Sequence, residues 1–299
     1  MPVFATPEPI SVTIELSLGD TRIIANDRTN TVVEVRPRDG SKASDIKAAE
    51  QTQVEFASGR LLVKSRQRHF LYEGARSVIG PGRGSAVDVT IEVPAGSHIQ
   101  GDTSMGELDG EGHLGECRFK TGMGNINLDH AGAVHLKTGM GNIVVDRGSG
   151  DADVTTGSGD VRMGQIEGAA VIKNSNGDTT VGEVTGDLRV KSANGRITVD
   201  RAGASVIAKT ANGNIRIGEV VNGAIVLETA AGELEVGIRE GTAAWLDVSS
   251  HYGRVRNSLD ESGGPEQSES TVEVRARTSY GDIKVHRSNQ ATQTGTKLP

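Results

Sequence analysis

Apolar and polar residues alternate in short runs along most of this chain, and from Met105 to Val285 the runs recur against a glycine. Gly124-Asn125-Ile126-Asn127-Leu128 is one copy and Gly141-Asn142-Ile143-Val144-Val145 the next, with further copies at Gly159, Gly177, Gly195, Gly213, Gly232, Gly253 and Gly281 and a weaker one at Gly106. Counted from each glycine, positions +2 and +4 are aliphatic (Ile197/Val199, Ile215/Ile217), and so are −7 and −5 (Val134/Leu136, Leu188/Val190). Position −3 is a hydroxyl or amide residue: Thr121, Thr138, Thr156, Asn174, Ser192, Thr210, Thr229. Strict alternation over so few residues predicts short half-buried strands. Small-residue clusters between them predict tight corners.

Between Gly141 and Gly213 the glycines fall 18 residues apart. A period near 20 predicts a solenoid, because one such coil cannot bury its apolar face and a stack of coils can. Each period holds two strands and two corners, so the expected fold is all-β: a parallel β-solenoid, read as right-handed. The −3 side chains are expected to form a ladder bonded from coil to coil. Two other solenoids do not fit. A hexapeptide helix needs an aliphatic residue every six, and Glu167 stands six after Val161. Calcium-binding rolls need Asp where this chain has Ile126, Ile143 and Val161.

Residues 1–100 form the expected cap on the solenoid and are continuous with it. Strands are predicted over Ile10–Leu18, Thr21–Ala25, Thr31–Val35, Val54–Phe56 and Leu61–Lys64, with one short helix over 44–51 and Ser44 as its N-cap. Residues 65–85 read as a Gly-rich loop in which Arg66, Arg68, Arg76 and Arg83 surround Phe70, Tyr72 and Glu73. That composition permits nucleic-acid contact, but solvated loop decoration is the plainer reading. The solenoid proper is assigned to 101–287, with a polar inserted loop at 258–270 between its last two coils and a disordered tail at 288–299.

Composition then narrows the picture. Hydrophobic residues are 35% and aromatics only 3%, which suits stacked small side chains better than an aromatic core. A net charge of −7 argues against a general nucleic-acid binder. No run approaches a membrane span. Met1-Pro2-Val3-Phe4-Ala5 has neither basic nor apolar leader character, so no secretory signal is expected. The single Cys117 cannot form an internal disulfide and sits at an inward −7 position, as a small buried hydrophobe. These features together predict a cytoplasmic protein.

No nucleophile elbow, zinc-protease motif, phosphate loop or paired-cysteine metal spacing is present, so neither a cofactor nor catalytic residues are expected. The strongest metal candidate is weak. Glu111, Asp129 and Asp146 fall at +5 on consecutive coils with His113 and His130 beside them. A solvated corner where Asp starts a turn is the plainer reading of these residues, and no metal is assigned. Tyr252 and Tyr280, at position −1, are expected to stack with Trp245 nearby, as an apolar end cap or a binding platform. Between Arg118 and Glu228, the outward positions of one sheet face carry Lys120, Lys137, Lys173, Lys191 and Lys209 at −4, with Arg118 and Arg189 at −6, opposed by Asp153 and Glu228 alone. That face reads either as protection against sheet aggregation or as a docking surface for an acidic protein partner.

With repeat, cap and alternation in view, the chain resembles the bacterial "putative adhesin" β-strand-repeat family of unknown function, and its actinobacterial members most. The likeness rests on Thr6-Pro7-Glu8-Pro9-Ile10-Ser11-Val12, on Val87 to Gly96, on Lys173-Asn174-Ser175-Asn176-Gly177-Asp178, on Gly241 to Val248 and on Arg277-Thr278-Ser279-Tyr280-Gly281-Asp282-Ile283. It implies the fold and brings no catalytic residues. The expected function is therefore a non-enzymatic scaffold or protein-interaction module, monomeric or weakly self-associating. The rivals are a cell-surface adhesin and a carbohydrate-active β-helix enzyme.

Overall fold

A computed structural model describes residues 1–65, 85–259 and 270–288. The arginine-rich loop with Phe70 and Tyr72, nearly all of the inserted loop and nearly all of the tail lie outside the described residues. Contacts divide the chain into two units, Met1–Asp178 and Thr179–Pro299. The chain is a parallel β-solenoid with one short helix, as its periodicity requires. No described helix is long and apolar enough to cross a membrane.

In the first unit, β1 (Val3–Ala5), β2 (Ser11–Leu18), β3 (Thr21–Asn26) and β4 (Asn30–Pro37) precede helix α1 (Ala43–Gln51). Next come β5 (Gln53–Ala57), β6 (Arg60–Lys64) and β7 (Val87–Pro94). From there the strands alternate between two sheets. β8 (His98–Met105), β10 (Cys117–Met123), β12 (Val134–Met140), β14 (Ala152–Ser158) and β16 (Ala170–Asn176) stack in one. β9 (Leu108–His113), β11 (Ile126–Ala131), β13 (Ile143–Gly148) and β15 (Val161–Ile166) stack in the other. The N-terminal strands join the same sheets, β2 pairing in parallel with β6 and β8, and β3 with β7 and β9. Antiparallel pairs occur at this end, β1 with β4, β4 with β7 and β5 with β6.

Helix α1 departs from expectation in its cap. Lys42, not Ser44, is the N-cap residue, and no side chain caps the helix. Ser44 hydroxyl bonds Asp45 instead, at 3.2 Å, so it is already inside the first turn.

The second unit holds β17 (Thr179–Val184), β19 (Ile197–Ala202), β21 (Ile215–Val220), β23 (Leu234–Ile238), β25 (Val255–Asn257) and β27 (Ile283–Arg287) in one sheet. Its other sheet holds β18 (Leu188–Asn194), β20 (Val206–Asn212), β22 (Gly223–Ala231), β24 (Thr242–Tyr252) and β26 (Ser270–Tyr280). Spatial and chain order part company here. β26 lies between β22 and β24, and β27 lies between β23 and β25. The coil written last is thus inserted beneath the one written before it.

Side-chain chemistry explains the exchange. Val272, Val274 and Ala276 of β26 alternate cleanly and are all but inaccessible, whereas Ala244, Leu246 and Val248 of β24 stay half-exposed. The more apolar strand takes the place with a neighbour on both sides, which removes more apolar surface from water. Elsewhere in each unit the inward positions are buried as the alternation demands: Ile126, Ile143, Val190, Val206, Ile215 and Leu227 are 0% exposed.

The −3 ladder forms, with one change from expectation. Thr138 and Thr156 hydroxyls donate not to each other but to the carbonyls of Gly124 and Gly141 on the preceding coil, at 3.0 and 3.1 Å. Asn174 reaches Gly159 in the same way (3.0 Å), and Thr229 reaches Gly213 (3.1 Å). At these positions the −3 donor satisfies a carbonyl that the corner leaves unpaired, whereas the buried Ser192 hydroxyl makes no such bond.

Candidate functional site

The face that carries the lysines is the outer side of the sheet containing β10 and, in the second unit, of the sheet containing β18. Alternation turns Lys120 outward between Phe119 and Thr121, which are both buried. Parallel pairing then sets Lys120 opposite Lys137, and Lys191 opposite Lys209, each directly across one strand spacing.

Several of these cations have partners that alternation alone does not reveal. Arg118 bonds Glu116 at 2.7 Å, and its guanidinium holds that carboxyl below the usual range. His135 lies 3.8 Å from the same carboxylate. Lys120 sits 3.7 Å from Asp102 on β8, and Lys209 sits 2.6 Å from Glu228. Glu116 lies just before its strand, and Asp102 holds the −4 position of the Gly106 coil, ahead of Arg118, so the −4 and −6 positions from Arg118 onward include neither. The remaining cations are different: among the described residues no carboxylate lies within 4.0 Å of Lys137 or Lys173 in the first unit, or of Arg189 or Lys191 in the second. All four are exposed.

The +5 corner gathers some of its candidates and loses one. His130 stands in register with His113, and their rings meet edge to face with centroids 4.4 Å apart. Asp129 and Asp146 border the same shallow depression, with Arg147. Glu111 turns away to bond Arg22 at 2.6 Å, and Asp129 accepts the Gly112 N–H at 3.2 Å. Burial, with His113 and Arg147 adding to it, lowers the His130 pKa. The described residues hold no group of three or more His, Cys, Asp or Glu side chains arranged to hold a metal ion.

Cys117 is fully buried, and desolvation pushes its thiol up to about 12. Tyr252 and Tyr280 stack as expected, with centroids 5.0 Å apart and planes 12° from parallel. His251 packs edge-on against Tyr252 at 4.4 Å. Trp245 is not part of this group. It lies at the far end of β24, opposite Glu273.

One ladder went unread. Where the residue after a repeat glycine is Asn125, Asn142, Asp160, Asn214 or Asp282, its side-chain oxygen holds the backbone of the next coil. Asn125 accepts from the Asn142 N–H (2.9 Å), Asn142 from Asp160 (2.8 Å), and Asp160 from Asp178 (2.9 Å). In the second unit Asn214 accepts from Glu233 (2.9 Å) and Asp282 from Arg254 (2.8 Å). The recurring Gly-Asn or Gly-Asp dipeptide was the signal. This ladder fixes the spacing of the corners and so the spacing of the cations on the face beside them.

Three crystal structures share partial likeness with the chain. A "putative adhesin" from Parabacteroides merdae is 13% identical, with a TM-score of 0.45, over 79% of this chain and 94% of that one. A "putative adhesin" from Bacteroides fragilis is 11% identical, with a TM-score of 0.34, over 95% of each chain. A "putative cell adhesion protein" from Clostridium sporogenes is 13% identical, with a TM-score of 0.23, over 96% and 98%. No curated protein matches the chain. Residues 11–289 match the family described as Toastrack DUF4097, nearly the whole of the described fold. This chain is a member of the Toastrack DUF4097 family.

Proposed function

We propose that the protein is a non-enzymatic β-solenoid scaffold of the cytoplasm, which docks an acidic protein surface through the lysines of its outer sheet face. One observation carries this reading: Lys137, Lys173, Arg189 and Lys191 project to solvent with no carboxylate in ion-pair range among the described residues. Like charges stacked one strand apart are mildly destabilising, and Lys120–Lys137 and Lys191–Lys209 are stacked in that way. A face kept at that cost in a chain of net charge −7 fits recognition of an anionic surface.

The test uses polyglutamate as the acidic probe. Binding should weaken steeply between low and physiological salt, because exposed charges act through a screened field. Lys137→Gln, Lys173→Gln and Lys191→Gln together should abolish binding and leave circular dichroism unchanged. Equal binding by that variant would overturn the docking reading. Protease-accessible protein on intact cells of the native host would overturn the cytoplasmic part and favour an adhesin.

A further inference from the structure

We infer that the end coil of the second unit, β24 with β25, is a self-association edge that pairs antiparallel with the same edge of a second copy. The inference is independent of the lysine face. It begins from the hydrogen-bond rule of the stack. At the second strand of each coil, an inward N–H donates to the carbonyl of an outward residue on the next coil. Ile215 donates to Glu233, Leu234 to Asp282, and Ile283 to Arg254, each at 2.9 Å. Val255 holds that donor place on the end coil, and no described strand lies beyond it.

Burial shows the same unfinished layer. Leu246 and Val248 are half-exposed, although Val274 and Ala276, which they cover, are 0% exposed. Val255 is 44% exposed and Trp245 58%, against 0% for Ile283 beneath Val255. Another β layer would close both parts of this surface at once, pairing the open backbone along its length and covering the apolar side chains.

The outward side chains point to a second copy. Exposed edges are normally guarded by lysine, proline or a short strand. β24, the long strand of this edge, is eleven residues long and lacks both residue types, whereas β25 is only three residues long and carries Arg256. The −4 position, lysine or arginine on most coils of the face, is Ser249 here. The one carboxylate of β24, Asp247, is paired with Arg277 at 3.3 Å, so two β24 edges meet without like-charge repulsion, and Arg254 and Arg256 stand at the shorter β25. Antiparallel pairing of a strand with its own copy is two-fold symmetric and closes as a dimer.

Sedimentation velocity of the full chain over a range of concentrations tests this. The wild type should form a dimer, and hydrogen exchange at β24 and β25 should slow as the dimer forms. Trp245→Lys with Ser249→Lys places charges on the edge at two exposed sites. It should raise the dimer Kd about tenfold, which is about 1.4 kcal/mol, since it brings more than one pair of like charges together across the edge. Ser249→Lys alone should give a smaller shift in the same direction and guards against loss of folding in the double variant. A dimer unchanged by either variant would place the contact elsewhere and overturn the inference. So would a wild type that stays monomeric at every concentration, whether its β24 amides exchange freely or are already protected.

Discussion

At the repeat glycine two requirements coincide in one residue. Gly141 and Gly213 adopt φ of 148° and 147°, where side chains are rarely tolerated, and a methyl group on either would fall on the carbonyl of the preceding coil's glycine. Gly213→Ala should therefore destabilise strongly, by about 3 kcal/mol or more in urea unfolding, since strain and a backbone clash add. Ile215→Asp should be at least as damaging, because it buries an unpaired carboxylate where exposure is 0%. Melting unchanged in either variant would show the inward assignment to be wrong. Cys117 gives a pH test. Its thiol is held protonated up to about 12 in the fold, whereas an unfolded cysteine loses its proton near 8.5. Its contribution is fully present below about pH 8.5 and falls as pH rises toward 12, by roughly 1.4 kcal/mol per unit. The stability of wild type minus that of Cys117→Ala should follow this slope, and a flat difference would contradict the burial of Cys117.

Elements are where the chain and the fold agree most and then separate. Alternation in Ile143–Val145 or Leu188–Val190 assigned strands, faces and register within a few residues, because a two-residue period leaves a half-buried strand only one way to face. The order of the last two coils was not legible. Their glycine spacing and their hydroxyls at −3, Ser250 and Thr278, fit either order, and only the contrast between Val272-Val274-Ala276 and Ala244-Leu246-Val248 decides it. The face was half legible. Lys137 and Lys191 face outward as the alternation requires, but Glu116 stands outside the regular repeat, and Asp102, at −4 of the Gly106 coil, precedes the run of cations that it helps to neutralise. The coil order itself is testable. Leu227→Ala, at 0% exposure, should cost about 2–5 kcal/mol, and Leu246→Ala on the half-exposed end coil less than about half of that. Equal costs would mean that β24 is as enclosed as β22.

On the scale of the whole molecule, stability rests on the inner surface of each sheet, and the proposed docking uses only the outer one. Inward positions and corners hold the stack through small apolar side chains, glycine carbonyls and Asn or Asp oxygens, which frees the outward positions to vary without changing the fold. That freedom makes the unpaired lysines informative, because nothing in the stack requires them. Lysine-directed cross-linking in the native cells, read by mass spectrometry, tests this most directly. One acidic partner should be joined chiefly through Lys137, Lys173 and Lys191. Partner cross-links concentrated instead at Lys47, Lys64 and Lys284, with those three lysines unlinked, would contradict it.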